Sequence, residues 1–237
     1  LQPFLSSATL IALRDYDVHM YRFYILAIAL FMCQIMCQIG LAQNSYDLDM
    51  QTDDWVLEDT PEPGSKEAQL AAASKALAMG QYQEAMRLSS IWMQRNKYDP
   101  LLGEAHLIHG DALFAQEYYY ESLFDYEFVA KEYYGTREEI YANEKELEIA
   151  IMFANGMKKL NWGMRISDAT DEAEELLIRI QERLPNHTLA ETAAMELADL
   201  YFRTSQMRLA NVMYLLFLEN FPRAPQSQTN KAEAKLV

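Results

Sequence analysis

Three short stretches decide how this chain folds: Gly80-Gln81-Tyr82-Gln83-Glu84-Ala85, Glu117-Tyr118-Tyr119-Tyr120-Glu121-Ser122 and Ser205-Gln206-Met207-Arg208-Leu209-Ala210. In each, a small or polar residue is followed by a large residue two positions on and a small residue three further on. Apolar residues at helical spacing lie before and after each stretch, which predicts a helix–turn–helix unit. A unit of this kind cannot bury its apolar face alone, so units stack. The predicted fold is all-α: an α-solenoid of antiparallel helix pairs.

The register extends along the chain. Ala85, Ser122, Ala173 and Ala210 are separated by 37, 51 and 37 residues. The period is therefore 37, with one insertion of fourteen residues in the third unit. Residues 155–168, which hold Gly156, Trp162 and Gly163, break the helical pattern and carry that insertion. The first unit is predicted to start near Ser65, a good N-cap, with helices over 66–79 and 83–95. The first helix of the third unit is placed near 138–154. The same register starts a fifth unit at Gln228, read either as the beginning of a further repeat or as a short capping helix.

These positions resemble the tetratricopeptide (TPR) repeat. Its small first-helix residue falls on Ala73, Gly110 and Ala198, its turn on Gly80, Glu117 and Ser205, and its second small residue on Ala85, Ser122, Ala173 and Ala210. The large residues of its second helix fall on Trp92, on Tyr126 and Val129, on Leu177 and Ile180, and on Tyr214 and Phe217. Pro100, Pro185 and Pro222 close units. The resemblance implies a partner-binding groove along the first helices. Its lining would be Leu107, Asp111 and Phe114 in the second unit, and Met195, Asp199 and Phe202 in the fourth. The repeated Asp-x-x-Phe would set a carboxylate beside an aromatic ring, suited to an extended peptide.

The ends of the chain read differently. Residues 23–37 form an apolar run after Met20-Tyr21-Arg22, and Gly40-Leu41-Ala42 follows. This is the order of a secretory signal over 20–42, with cleavage expected after Ala42. Residues 1–19 are expected to be an extension ahead of the natural start. Both cysteines lie inside the signal. Cys33 is the candidate for lipidation because Leu30 stands three residues before it; Met32 and Met36 directly precede Cys33 and Cys37, where a lipobox wants a small residue. Residues 43–65 are acidic and rich in turn formers, and are expected to form a disordered linker. The folded array is predicted over 66–237.

Charge and motif content narrow the function. The net charge of −15 disfavours nucleic acid, whose phosphates need Lys and Arg. No phosphate-binding loop, zinc-protease helix or nucleophile elbow occurs. His106 and His109 share a helix face, but two ligands are too few for a zinc site. The pairs Glu138-Glu139 and Glu174-Glu175 read as solvated helix faces, and no cofactor is expected. Tyr118 and Tyr120 are candidates for an exposed aromatic surface, with Tyr119 in the packing register.

An exported acidic array with this period also resembles the outer-membrane assembly lipoproteins, the BamD or ComL-like family. The likeness rests on Tyr82-Gln83-Glu84-Ala85, Leu200-Tyr201-Phe202, Ala210 with Tyr214, and Phe217-Leu218-Glu219-Asn220-Phe221-Pro222. It implies a non-enzymatic periplasmic scaffold, with a lipid anchor at the inner leaflet of the outer membrane if Cys33 is lipidated. Such a scaffold binds the barrel-assembly core subunit or unfolded barrel proteins. The alternative reading is a soluble periplasmic TPR adaptor in cell division or polysaccharide export.

Overall fold

A computed structural model describes residues 46–49, 54–57, 61–161 and 163–236. The expected extension, the signal and both cysteines lie outside the described residues. The chain divides into two units, Leu1–Thr60 and Pro61–Val237. In the first, β1 (Tyr46–Asp49) pairs antiparallel with β2 (Asp54–Leu57), Tyr46 opposite Leu57 and Asp49 opposite Asp54. The segment read as an irregular linker thus contains a short strand pairing, formed where Tyr46, Trp55 and Val56 supply strand-favouring residues.

The second unit is built from helix pairs. The first pair is α1 (Lys66–Ala78) with α2 (Tyr82–Arg95), and the second is α3 (Leu102–Ala115) with α4 (Tyr119–Glu132). In the third, α5 (Arg137–Ala154) is followed by a hairpin of β3 (Lys159–Asn161) and β4 (Met164–Ser167) before α6 (Thr170–Arg183). The fourth pair is α7 (Thr188–Arg203) with α8 (Met207–Asn220), and α9 (Gln226–Lys235) packs on α8. Each helix packs against the next, and α1, α3 and α5 each pack against the next first helix. The molecule is an all-α, TPR-like solenoid over this unit.

One turn recurs four times and explains the pairing. Gly80, Glu117, Gly156 and Ser205 all have φ in the left-handed region, between 62° and 93°. The amide of the next residue then reaches back to the helix: Gln81 N to Ala76 O, Tyr118 N to Leu113 O, Met157 N to Met152 O and Gln206 N to Tyr201 O, at 2.8–3.0 Å. This Schellman arrangement satisfies carbonyls that would otherwise be orphaned and aims the second helix back along the first. Glycine takes this φ without cost; Glu117 and Ser205 do not.

Gly156 belongs to this set, although the insertion was expected to begin at 155. It lies 39 residues after Glu117 rather than 37. Two of the extra residues therefore lengthen the first helix, and the other twelve follow the turn and form the β3–β4 hairpin. At α5 the start is fixed by Thr136, whose Oγ1 accepts from Glu139 N at 3.3 Å, while Glu139 Oε2 accepts from Gly135 N at 2.6 Å. Glu139 is accordingly buried and capping, a correction to its reading as solvated.

The small residues of the register are all buried: Ala73, Gly110 and Ala198 in first helices, and Ala85, Ser122, Ala173 and Ala210 in second helices. At Gly110 a Cβ would meet the Tyr126 ring at 3.0 Å, so only a hydrogen lets α3 approach α4 this closely. Trp92, Tyr126, Val129, Leu177, Ile180, Tyr214 and Phe217 fill the space between, all at most 1% exposed.

The turn geometry makes a prediction. Ser205 is exposed and its side chain makes no hydrogen bond among the described residues, so Ser205→Gly should raise the unfolding free energy by about 1 kcal/mol through relief of the left-handed strain. Glu117→Gly should gain less, because Glu117 Oε2 accepts from Arg165 at 3.0 Å. Urea denaturation decides: an unchanged or lower midpoint for Ser205→Gly would show that this turn is not strained.

Candidate functional site

The six residues expected to line a groove do lie on first helices, at the seams between units. Leu107, Phe114 and Phe202 are partly buried, and Met195 and Asp199 are buried. Asp111 Oδ1 accepts from Tyr126 at 2.7 Å and Oδ2 from Tyr141 at 2.8 Å. Asp199 Oδ1 accepts from Tyr214 at 2.5 Å and from Lys235 at 2.7 Å, and Oδ2 from Lys231 at 2.5 Å. Both aspartates bind a tyrosine fifteen residues later on the second helix of their own unit. Both also bind a donor on the following first helix, α5 or α9.

The phenylalanines repeat the pattern. Lys145 of α5 lies 4.6 Å from the Phe114 ring, and Lys235 of α9 lies 4.9 Å from the Phe202 ring. Asp-x-x-Phe is therefore a joint between neighbouring units, and its polar atoms already have partners. Burial opposes ionisation of Asp199, and the hydrogen bonds from Lys231, Lys235 and Tyr214 outweigh it, holding its pKa below the ordinary value. Burial, and then the aspartate, raises the Tyr126, Tyr141 and Tyr214 phenols, which keeps them as donors.

The histidine pair has a similar use. His106 Nδ1 and His109 Nδ1 donate to the two oxygens of Asp125 on α4, at 2.7 and 2.6 Å. Burial opposes ionisation of Asp125, and the two imidazole hydrogen bonds hold its pKa low. His106 also packs on Phe128, with ring centroids 4.1 Å apart. No cluster of three or more metal-ligating side chains occurs among the described residues.

One open feature is a cleft of about 250 Å³ between α4, α5 and α6. Tyr120, Leu123 and Phe124 form its apolar side, with Leu176 opposite, and Glu127, Lys131, Glu146, Glu172, Glu175 and Arg179 complete it. Phe124 is 67% exposed, and its ring meets Tyr120 edge to face at 5.7 Å. The inserted hairpin docks beside them. Arg165 lies over Tyr119 at 5.0 Å and donates to the Glu117 carbonyl at 2.9 Å. Lys159 lies over Tyr120 at 5.2 Å and pairs with Glu172.

A charge network forms the floor. Arg183 donates to Glu146 Oε2 at 2.8 Å and to Glu127 Oε2 at 2.7 Å. Glu127 also takes Arg179 at 3.0 Å and Lys131 at 2.6 Å. Glu146 is fully buried, and among the described residues no donor reaches its Oε1. Burial, then the neighbouring Glu127 carboxylate, pushes Glu146 up to about 8 against the pull of Arg183. Glu127, despite its own burial, is held at about 2 by Arg183 and Lys131. Burial and the adjacent Glu127 carboxylate thus favour the protonated form of Glu146 over its carboxylate.

The class these features define is an all-α repeat array with a mixed aromatic and charged cleft on its second helices. No known family profile matches the chain. No curated protein matches it. Among solved structures it is similar to a Podosopora anserina putative kinesin light chain with nearly identical TPR-like repeats. That match has 17% identity and a TM-score of 0.42, and covers 75% of this chain and 86% of the other. The fold class rests on the helix packing described above.

Sequence reading did not single out Phe124, Glu127, Glu146, Arg179 or Arg183. One signal for Glu146 was present: it falls in step with Ala142, Ile149 and Phe153, the buried face of α5. Of the other carboxylates read as solvated, Glu174 accepts from Tyr201 at 2.8 Å and Glu175 pairs with Arg179.

The carboxyl pair predicts a pH dependence. Folding raises the Glu146 pKa from 4.5 to about 8, so the folded chain holds a proton that the unfolded chain releases across that interval. Its stabilisation is complete below 4.5 and is lost as pH rises through about 8. Glu127 works in the opposite sense: its contribution is present above 4.5 and is lost as pH falls through about 2. Glu146→Gln, which mimics the protonated acid, should flatten the fall in stability from pH 5 to 8, with stability at pH 5 within about 1 kcal/mol of the parent. Denaturant titrations at both pH values check it; an equally steep fall in the variant would show that Glu146 is not the group responsible.

Proposed function

We propose that this chain is a non-enzymatic scaffold that holds a protein partner, with the cleft between α4, α5 and α6 as the contact. The observation that carries the proposal is the pair Tyr120 and Phe124, large aromatic side chains left in solvent at the mouth of the cleft. Exposed aromatics of this kind act as anchors in protein interfaces. Beside them Arg179 and Lys131 offer donors, while Glu172 and Glu175 offer acceptors, so an extended segment can satisfy its polar groups as its apolar side chains cover the rings.

The setting we propose is the bacterial cell envelope. The apolar run with its small-residue cleavage pattern supports export, and the likeness to outer-membrane assembly lipoproteins supports a role in barrel assembly. The partner in this reading is the barrel-assembly core subunit or an unfolded barrel protein. Among the described residues no helix is long and apolar enough to cross a membrane.

A tagged chain recovered from crosslinked cell envelope should bring down the barrel-assembly core subunit. Tyr120→Ala with Phe124→Ala should reduce that recovery about tenfold without loss of helix content. Recovery of division or polysaccharide-export proteins instead would favour a soluble periplasmic adaptor. Undiminished recovery with the double variant would place the contact elsewhere.

A further inference from the structure

Helix α8 turns Ala210, Tyr214 and Phe217 into the core and leaves Leu209, Val212, Leu215 and Leu216 more than one-third exposed. These four fall on one side of the helix at spacings of three and four residues, an apolar stripe left uncovered among the described residues. Arg208 and Glu219 stand exposed at its two ends. Among the described residues neither has an ion-pair or hydrogen-bond partner through its side chain.

We propose that this face binds the same face of a second copy of the chain, with the two α8 helices antiparallel about a two-fold axis. The order of residues carries the inference. Arg208 and Glu219 are symmetric about the point between Met213 and Tyr214, and so are Val212 and Leu215. An axis through that point sets Arg208 of one copy against Glu219 of the other, twice, and Val212 against Leu215, twice. A two-fold interface requires this reciprocity, in which residue i meets j and j meets i. The spacing of 208, 212, 215 and 219 is four, three, four, the seam along which two helices interlock. A partner unrelated to this chain would need no such symmetry.

The association is expected to be weak. Fourteen residues of helix span about 21 Å. One helix pair of that length covers less than the roughly 800 Å² per partner of a standard interface, and two chains of net charge −15 repel at long range. The dissociation constant should fall in the micromolar range.

Sedimentation equilibrium on the full processed chain, over about 5–500 µM, tests this. The parent should show a reversible monomer–dimer equilibrium. Arg208→Glu and Glu219→Arg should each weaken it about tenfold, and the two together should restore it to within about threefold, because the swapped charges meet again across the axis. Both side chains are in solvent, so circular dichroism should stay unchanged. Val212→Asp should abolish association. A monomer at every concentration overturns the proposal and leaves the stripe to a different partner. A dimer indifferent to these substitutions, or single variants that the double variant fails to rescue, overturns it equally.

Discussion

At Gly80, Glu117, Gly156 and Ser205 the chain leaves a first helix through one left-handed residue, and the rest of the array depends on that reversal. The following amide returns to a carbonyl of the helix just ended, which fixes the direction of the second helix without help from distant residues. The two helices then lie so close that only small side chains fit between them. Ala85, Ser122, Ala173 and Ala210 meet that demand, and Gly110 meets it where a Cβ would press on the Tyr126 ring. Local backbone geometry therefore dictates the packing residues.

Joining one unit to the next is a separate task. Asp111 and Asp199 each tie a tyrosine of their own second helix to a donor on the following first helix. A buried carboxylate is costly unless its oxygens are satisfied, and here two or three donors converge on each. The residue types that suit a peptide-binding groove also suit this joint. With their polar atoms engaged inside the array, surface chemistry falls to the second helices. There the inserted hairpin, Tyr120 and Phe124 frame the cleft above the Glu127–Glu146–Arg183 network.

The turns, the buried small residues and the period of 37 were legible in the sequence because each follows from neighbours a few residues apart. The extra fourteen residues were read as one loop over 155–168, whereas two of them lengthen α5 and twelve follow its turn, since Gly156 reads as a loop glycine until its turn is seen. The joints were legible only by half. The Asp and Phe positions repeat visibly, whereas their partners Tyr141, Lys145, Lys231 and Lys235 lie 30 or more residues on and differ in type between units. Glu146 was hidden for the same reason: Arg183, which makes its burial tolerable, is 37 residues away. Helical sequences rich in Glu do not announce which carboxylate faces inward.

Site-specific photocrosslinking in cells expressing the full chain separates the cleft from the first-helix seams most directly. A photoreactive phenylalanine analogue would replace Phe124 in one variant and Phe202 in another. Binding in the cleft predicts a discrete crosslinked partner from position 124 and none from position 202. A partner captured from position 202 alone would contradict it and return the binding surface to the first helices.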